Sequence, residues 1–205
     1  MKVYRRRLVP WLALLLLLVG GWQAGHGAVL YGKAWLAQVL LRDAWARTAA
    51  GAGPVRPWPW ADTWPVARLE VPRLGVDEIV LAGGSGRTLA FAPGHVDGTA
   101  MPGAAGNSII GGHRDTHFRF LQELAPGDRV VVTTPDRRRV SYRVVERRVV
   151  HDGAATIRLD VAGSWLTLAT CYPFDAIVPG GPLRYVVTAT ADRPESAALA
   201  RVSPR

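Results

Sequence analysis

The chain of 205 residues contains one cysteine, Cys171. It ends an apolar run, Trp165-Leu166-Thr167-Leu168-Ala169-Thr170, that reads as a β-strand. A thiol placed there stands on a rigid base where the backbone leaves the scaffold, and such positions let a reactive group reach solvent. His113 ends a second run, Asn107-Ser108-Ile109-Ile110-Gly111-Gly112, whose paired glycines permit a close backbone approach. Arg184 lies at the start of a third, Leu183-Arg184-Tyr185-Val186-Val187. A thiol, an imidazole and a guanidinium at three strand ends supply a nucleophile, an acid/base and an anion clamp, the parts of covalent acyl transfer.

Each of these residues alone says less. A lone cysteine serves equally well as a small buried hydrophobe. Arginine is abundant in this chain, and His113 has rivals in His95, His117 and His151. His113 and His117 also share the i, i+4 spacing of a helical metal pair. However, Gly111-Gly112 and Pro126 frame no long helix, no glutamate follows His113, and there is only one thiol. No metal site is therefore expected. The chain also has no phosphate loop and no cofactor fingerprint, so no cofactor is expected.

Bringing three strand ends together requires a β scaffold, and the pattern after Val66 supplies one. Segments 67–71, 77–81, 108–111, 129–134, 139–150, 164–170 and 184–190 are rich in Val, Ile, Leu and Thr and are mostly punctuated by Gly, Pro or Asp. Short strands with few helices between them indicate an all-β barrel or sandwich. Residues 118–124 fit a short helical insert closed by the turn Pro126-Gly127-Asp128. Segment 139–150 alternates through Val140, Tyr142 and Val144, so one of its faces is wet, and Arg137, Arg138, Arg139, Arg143, Arg147 and Arg148 mark it as a solvated hairpin face. Ahead of the strands, Pro57-Trp58-Pro59-Trp60-Ala61-Asp62-Thr63-Trp64-Pro65 cannot be regular, because alternate prolines block both helix and ladder bonds. Its three tryptophans are expected to pack this strap against the domain, with a peptide-binding groove as the alternative.

The N-terminus has a different composition. Three consecutive arginines, Arg5-Arg6-Arg7, precede an uncharged leucine-rich run, residues 8–19, which Gly20-Gly21-Trp22-Gln23-Ala24 extends to a thin membrane span. Trp11 and Trp22 bracket it at headgroup positions. Gly25-His26-Gly27 makes a poor cleavage site, so an uncleaved anchor is expected, and a cleaved signal peptide is the alternative. Residues 28–47 read as an amphipathic helix and 48–57 as a linker. The formal charge of +9 is concentrated here: the first fifty residues hold seven basic side chains against Asp43, whereas the other 155 hold eighteen arginines against fifteen acids. So mildly basic a body argues against nucleic acid as a partner. By the positive-inside rule the arginines stay in the cytoplasm and the chain after Ala24 is exported. Cys171 then lies in an oxidising compartment with no disulfide partner in its own chain.

Taken together, these stretches resemble one family. Thr167-Leu168-Ala169-Thr170-Cys171 is similar to the TLxTC signature of the sortases, the membrane-anchored cysteine transpeptidases. Ala92-Pro93-Gly94-His95, Gly98-Thr99-Ala100-Met101-Pro102-Gly103 and Gly106-Asn107-Ser108-Ile109-Ile110-Gly111-Gly112-His113-Arg114 resemble the segment that delivers the sortase catalytic histidine. The order and separation of His113 and Cys171 match as well, and the resemblance runs over roughly residues 66–191. The proline–tryptophan strap is similar to the segment preceding the barrel in the sortase class of Gram-negative proteobacteria.

The resemblance implies a closed all-β barrel of seven to eight strands with short helices, preceded by an N-terminal membrane helix. Its divisions would be an anchor at 1–24, a juxtamembrane helix and linker at 25–56, a catalytic domain at 57–191 and a flexible tail at 192–205. It implies Cys171, His113 and Arg184 as catalytic residues, with Thr170 and Asp115 as substrate-binding residues. The implied partners are an exported protein bearing a C-terminal sorting signal, an acceptor amine and the inner membrane, with the barrel facing the periplasm. One departure concerns the arginine, which in many sortases follows the cysteine more closely than the thirteen residues found here. No other arginine occurs in the intervening loop, so Arg184 is the candidate, and the resemblance leaves the shape of the substrate pocket open. Two rival readings stand beside it: a periplasmic cysteine hydrolase that releases its acyl group to water, and a membrane-tethered β domain that binds a protein partner and carries an inert thiol.

Overall fold

A computed structural model describes residues 2–152, 159, 161–176, 178 and 180–192. They fall into two compact units, Met1–Val39 and Leu40–Arg205. Helix α1 (Lys2–Arg47) is continuous over 46 residues. The sequence pattern predicts a membrane segment and a separate amphipathic helix parted near Gly25-His26-Gly27, whereas the two are halves of one helix. Each interior glycine costs only about 1 kcal/mol relative to alanine. A break inside an apolar span, by contrast, would strand backbone N–H and C=O groups away from water. This is the one helix among the described residues that is long and apolar enough to cross a membrane. It ends in a π turn, Thr48–Ala52, where Gly51 at φ 92° adopts a left-handed conformation that side chains resist.

The second unit carries eight strands: β1 (Pro65–Val71), β2 (Val76–Ala82), β3 (Gly94–His95), β4 (Gly106–Gly111), β5 (Arg129–Thr133), β6 (Arg139–His151), β7 (Ser164–Tyr172) and β8 (Leu183–Ala191). They form a closed barrel in the order β1-β2-β3-β4-β7-β8-β6-β5, with β5 pairing back onto β1. The pairs β2–β3 and β4–β7 are parallel and the others antiparallel. Seven of the strands are those the sequence predicts. The eighth, β3, is two residues long, too short to show alternation, yet it joins β2 to β4 and so settles barrel over sandwich.

Leu69, Val80, Ile110, Tyr142, Leu166 and Leu168 fill the barrel interior, each contributing about 1.5–3 kcal/mol by leaving water. Tyr142 stays satisfied in the core because its hydroxyl lies 2.8 Å from Ser164 Oγ, which donates to Ala104 O. Burial pushes its phenol above the ordinary tyrosine range. The predicted helical insert is a 3-10 helix, Arg119–Glu123, and Phe118, Leu121 and Leu124 around it enter the same core. Phe118 also explains one of the paired glycines. A Cβ on Gly112 would stand 2.7 Å from its ring, whereas a Cβ on Gly111 would meet open space.

Outside the barrel, Arg68 donates from Nε and Nη2 to Asp77 at 2.7 and 3.0 Å, which holds that carboxyl below the usual carboxylate range. The arginine-rich β6 face is solvated as expected, and several of its side chains find partners: Arg139 with Glu70, Arg143 with Asp192, and Arg147 with the Leu124 carbonyl. In the strap, Trp58 sets its ring edge-on to Phe91 at 4.9 Å and Trp64 packs on the core. Trp60 remains 83% exposed, so two of the three tryptophans hold the strap down. The expected tail beyond Asp192 lies outside the described residues.

Candidate active site

Alternation along β7 turns Leu166, Leu168 and Thr170 inward, which puts Thr167, Ala169 and Cys171 on the outer face. In the antiparallel partner β8, Arg184 is directly opposite Cys171. Opposed residues carry their side chains on one face with Cβ atoms roughly 4.5–5.5 Å apart. On the other side of β7, parallel β4 sets Gly111 opposite Ala169. The Gly112 N–H donates to the Ala169 carbonyl at 3.1 Å, continuing the pairing beyond the strand end. His113 follows two residues beyond the end of β4, on the chain that leaves the strand adjoining β7. Cys171 and Arg184 thus share the outer face near one end of the β7–β8 pair, and His113 lies just past the end of the neighbouring strand β4. Cys171 is half-buried and His113 exposed.

The remaining histidines occupy other places. His95 is 5% exposed, with Nε2 2.9 Å from the Ala100 carbonyl and 3.0 Å from Thr99 Oγ1, and it braces the turn after β3. His117 Nδ1 lies 3.2 Å from Glu78 Oε2. His151 stands near this end of the barrel, but it neighbours Val150, the residue paired with Arg184, and so projects to the opposite face of β6. Its Nδ1 is 2.8 Å from the Asp152 carbonyl. No group of three or more His, Cys, Asp or Glu side chains that could hold a metal occurs among the described residues.

The two residues expected to touch substrate have structural partners. Thr170 is buried and donates to the Gly112 carbonyl at 2.7 Å, tying the strand that carries Cys171 to the segment that carries His113. Asp115 is 66% exposed and accepts from Arg114 Nε at 3.3 Å.

Two residues that the sequence pattern does not single out shape the site. Arg114, 3% exposed, donates from Nη1 to the Pro173 carbonyl at 2.8 Å and from Nη2 to the Ala176 and Val178 carbonyls at 2.8 and 3.0 Å. All three acceptors belong to the loop between Cys171 and Arg184. At the start of that loop, Tyr172 and Phe174 stack with and edge onto Tyr185 at 6.2 and 5.2 Å. Asp152, just past β6, accepts from Arg184 Nη2 at 2.6 Å, while Arg184 Nη1 donates to the Gly181 and Leu183 carbonyls at 2.7 and 3.0 Å. The partners of Arg114 lie 59–64 residues away, so no local pattern could reveal the contact. The available signal was the loop itself, since prolines at 173, 179 and 182 remove donors and its carbonyls must be met from outside.

A closed eight-stranded barrel with its one thiol near the end of β7, an arginine paired across from it on β8 and a histidine just past β4 points to a class of β-barrel cysteine proteins. Residues 69–192 match the sortase domain model, and the chain belongs to the sortase family. It is 31% identical over 122 residues to Sortase D of Bacillus subtilis, a match covering 58% of this chain and 60% of the relative. It is 34% identical over 152 residues to Sortase SrtE1 of Streptomyces coelicolor, covering 65% of this chain and 42% of the relative. The chain thus aligns with less than two thirds of either relative's length. Among solved structures, sortase C-1 of Actinomyces oris matches with a TM-score of 0.56 at 29% identity, over 63% of this chain and 76% of that one. A Clostridium perfringens Sortase D5 transpeptidase matches in fold with a TM-score of 0.62 at 22% identity, over 77% of this chain and 99% of that one.

Proposed function

We propose that this sortase is a membrane-anchored transpeptidase that cleaves the C-terminal sorting signal of an exported protein and passes the acyl group to an amine. The observation that carries this reading is the cross-strand register that sets Arg184 opposite Cys171, and it is supported by His113 following two residues after β4, the strand flanking β7. The Cys171 thiolate adds to the scissile carbonyl, and Arg184 donates to the oxygen on which negative charge develops. His113 gives a proton to the departing amine, which leaves a thioester on Cys171. The incoming amine adds to that thioester, His113 takes its proton, and the new amide leaves the thiol free. Three of the five guanidinium N–H groups of Arg184 are engaged by Gly181, Leu183 and Asp152, so a substrate oxygen would use the remaining Nε and Nη2 donors or compete for the others.

The basic start Arg5-Arg6-Arg7 and the apolar helix after it support an anchor with its N-terminus in the cytoplasm. The proline–tryptophan strap supports the class of Gram-negative proteobacteria, and hence an inner-membrane protein whose barrel faces the periplasm.

The test uses the full chain in detergent micelles with a library of LPxTG-like peptides and a small amine, followed by intact-mass spectrometry. An acyl adduct on Cys171 together with amine-ligated peptide is expected. An adduct resolved only by water would make the protein a hydrolase, and a thiol that neither acylates nor alkylates in the folded state would make it a binding domain. A finer expectation concerns Arg184→Lys. An ammonium lacks the planar fork that meets two oxygens at once, so kcat/KM should fall about 10²-fold. A near-native rate would move the clamp to another residue.

A further inference from the structure

We propose that Arg114 is a positioning residue, one that sets the substrate-side wall of the site by holding the loop between β7 and β8. This inference rests on the transpeptidase reading above. The loop begins two residues after Cys171 and ends at Pro182, two residues before Arg184, so its path governs what can lie against both. It has few internal restraints: among the described residues its one backbone bond of its own is from the Ala176 N–H to the Pro173 carbonyl, at 3.5 Å. Aromatic contacts to Tyr185 fix Tyr172 and Phe174, but they act only on its first residues. Three carbonyls from Pro173 to Val178 are instead gathered by one guanidinium.

That guanidinium can reach them because of where it sits. It follows His113 directly, is 3% exposed, and is flanked by the turn that Phe118 closes through its N–H to the His113 carbonyl at 3.0 Å. A buried cation must have its donors met, and a loop poor in N–H groups must have its acceptors met. Here each need satisfies the other. One side chain thereby couples the segment of the general acid/base to the loop that joins the nucleophile to the anion clamp. Only an arginine has the fork to span three acceptors, whereas a lysine ammonium at the same depth is a point donor that meets fewer of them.

The expected signature is a split between substrate binding and chemistry. Cys171 and His113 are placed by the β4–β7 register and by Thr170, which do not involve Arg114. Arg114→Met should therefore raise KM for the sorting peptide about tenfold while kcat per reactive thiol falls less than about threefold, because a loosened wall must be ordered at each binding event. Arg114→Lys should lie between the two. Hydrogen exchange on the same full-length proteins supplies an arm that does not depend on turnover. Amides of the loop residues between Pro173 and Pro182 should exchange faster in Arg114→Met, and those of the β4 and β7 ladders should keep their protection.

An unchanged KM with unchanged loop exchange in both variants overturns the inference, as does a loss confined to kcat. If Arg114→Met does not fold, Arg114→Lys decides by the same two readouts. If the wild-type protein transfers no acyl group, it is the functional reading that fails, and the exchange arm still tells whether Arg114 holds the loop.

Discussion

Cys171→Ala should eliminate turnover and acyl-adduct formation while leaving the barrel folded. The chain has one thiol, so no other side chain can take over a thioester. In the proposed mechanism Arg184 and His113, which remain, serve an oxyanion and an amine that arise only after the thiolate has added. Loss of a member of such a unit removes nearly all of the chemistry, at least about 10³-fold in rate. The structural cost is small, because Cys171 is half-buried near the end of β7 and outside the interior cluster. Replacing its sulfur by hydrogen creates no cavity in the core. The measurement is intact-mass spectrometry with the peptide library, run beside a thermal melt of the same preparation. An unfolding midpoint near wild type with no adduct and no ligated product is the expected pair. Product formation by this variant would show that the thiol is not the nucleophile.

Much of this site can be read in the chain, because strand patterning and strand ends are local properties. Cys171 follows a six-residue apolar run, His113 follows a run closed by two glycines, and both stretches form the expected strands. Which strands adjoin is a different kind of fact. The parallel β4–β7 pair joins residues almost 60 positions apart, and nothing in either segment names the other. The two-residue β3 that closes the barrel lies below the length at which alternation has meaning. The buried contacts of Arg114 are equally silent, since an arginine next to an aspartate in a turn reads as solvated and here the guanidinium is hidden while Asp115 is not. The continuous helix α1 overrides a local signal: Gly20, Gly21, Gly25, Gly27 and Gly32 weaken its middle without breaking it.

His113→Ala should lower kcat/KM by about 10²–10⁴-fold, the range expected when a positioned acid/base is removed. The register gives the reason for choosing His113 among five histidines. His113 follows β4, the immediate neighbour of β7 on the side away from Arg184, so in the proposed mechanism the thiol would meet an imidazole from one flank and a guanidinium from the other. The rival substitutions should fail in a different way. His95→Ala leaves the Ala100 carbonyl without its imidazole partner, a loss of roughly 1–3 kcal/mol of stability, while the Thr99 hydroxyl keeps Val96 O and the Ile109 N–H. Its signature is a lowered melting midpoint with near-native rates per folded molecule. His151→Ala should change little, because that ring faces away from the Cys171 side of the sheet. Added imidazole sharpens the contrast, since a small base in solution can restore part of the rate to His113→Ala by entering the space the side chain vacates. It has no means of restoring stability to His95→Ala. Should His95→Ala lose its rate at full stability while His113→Ala keeps it, the proton would have to travel by the buried histidine, and the outer-face arrangement of the site would be wrong.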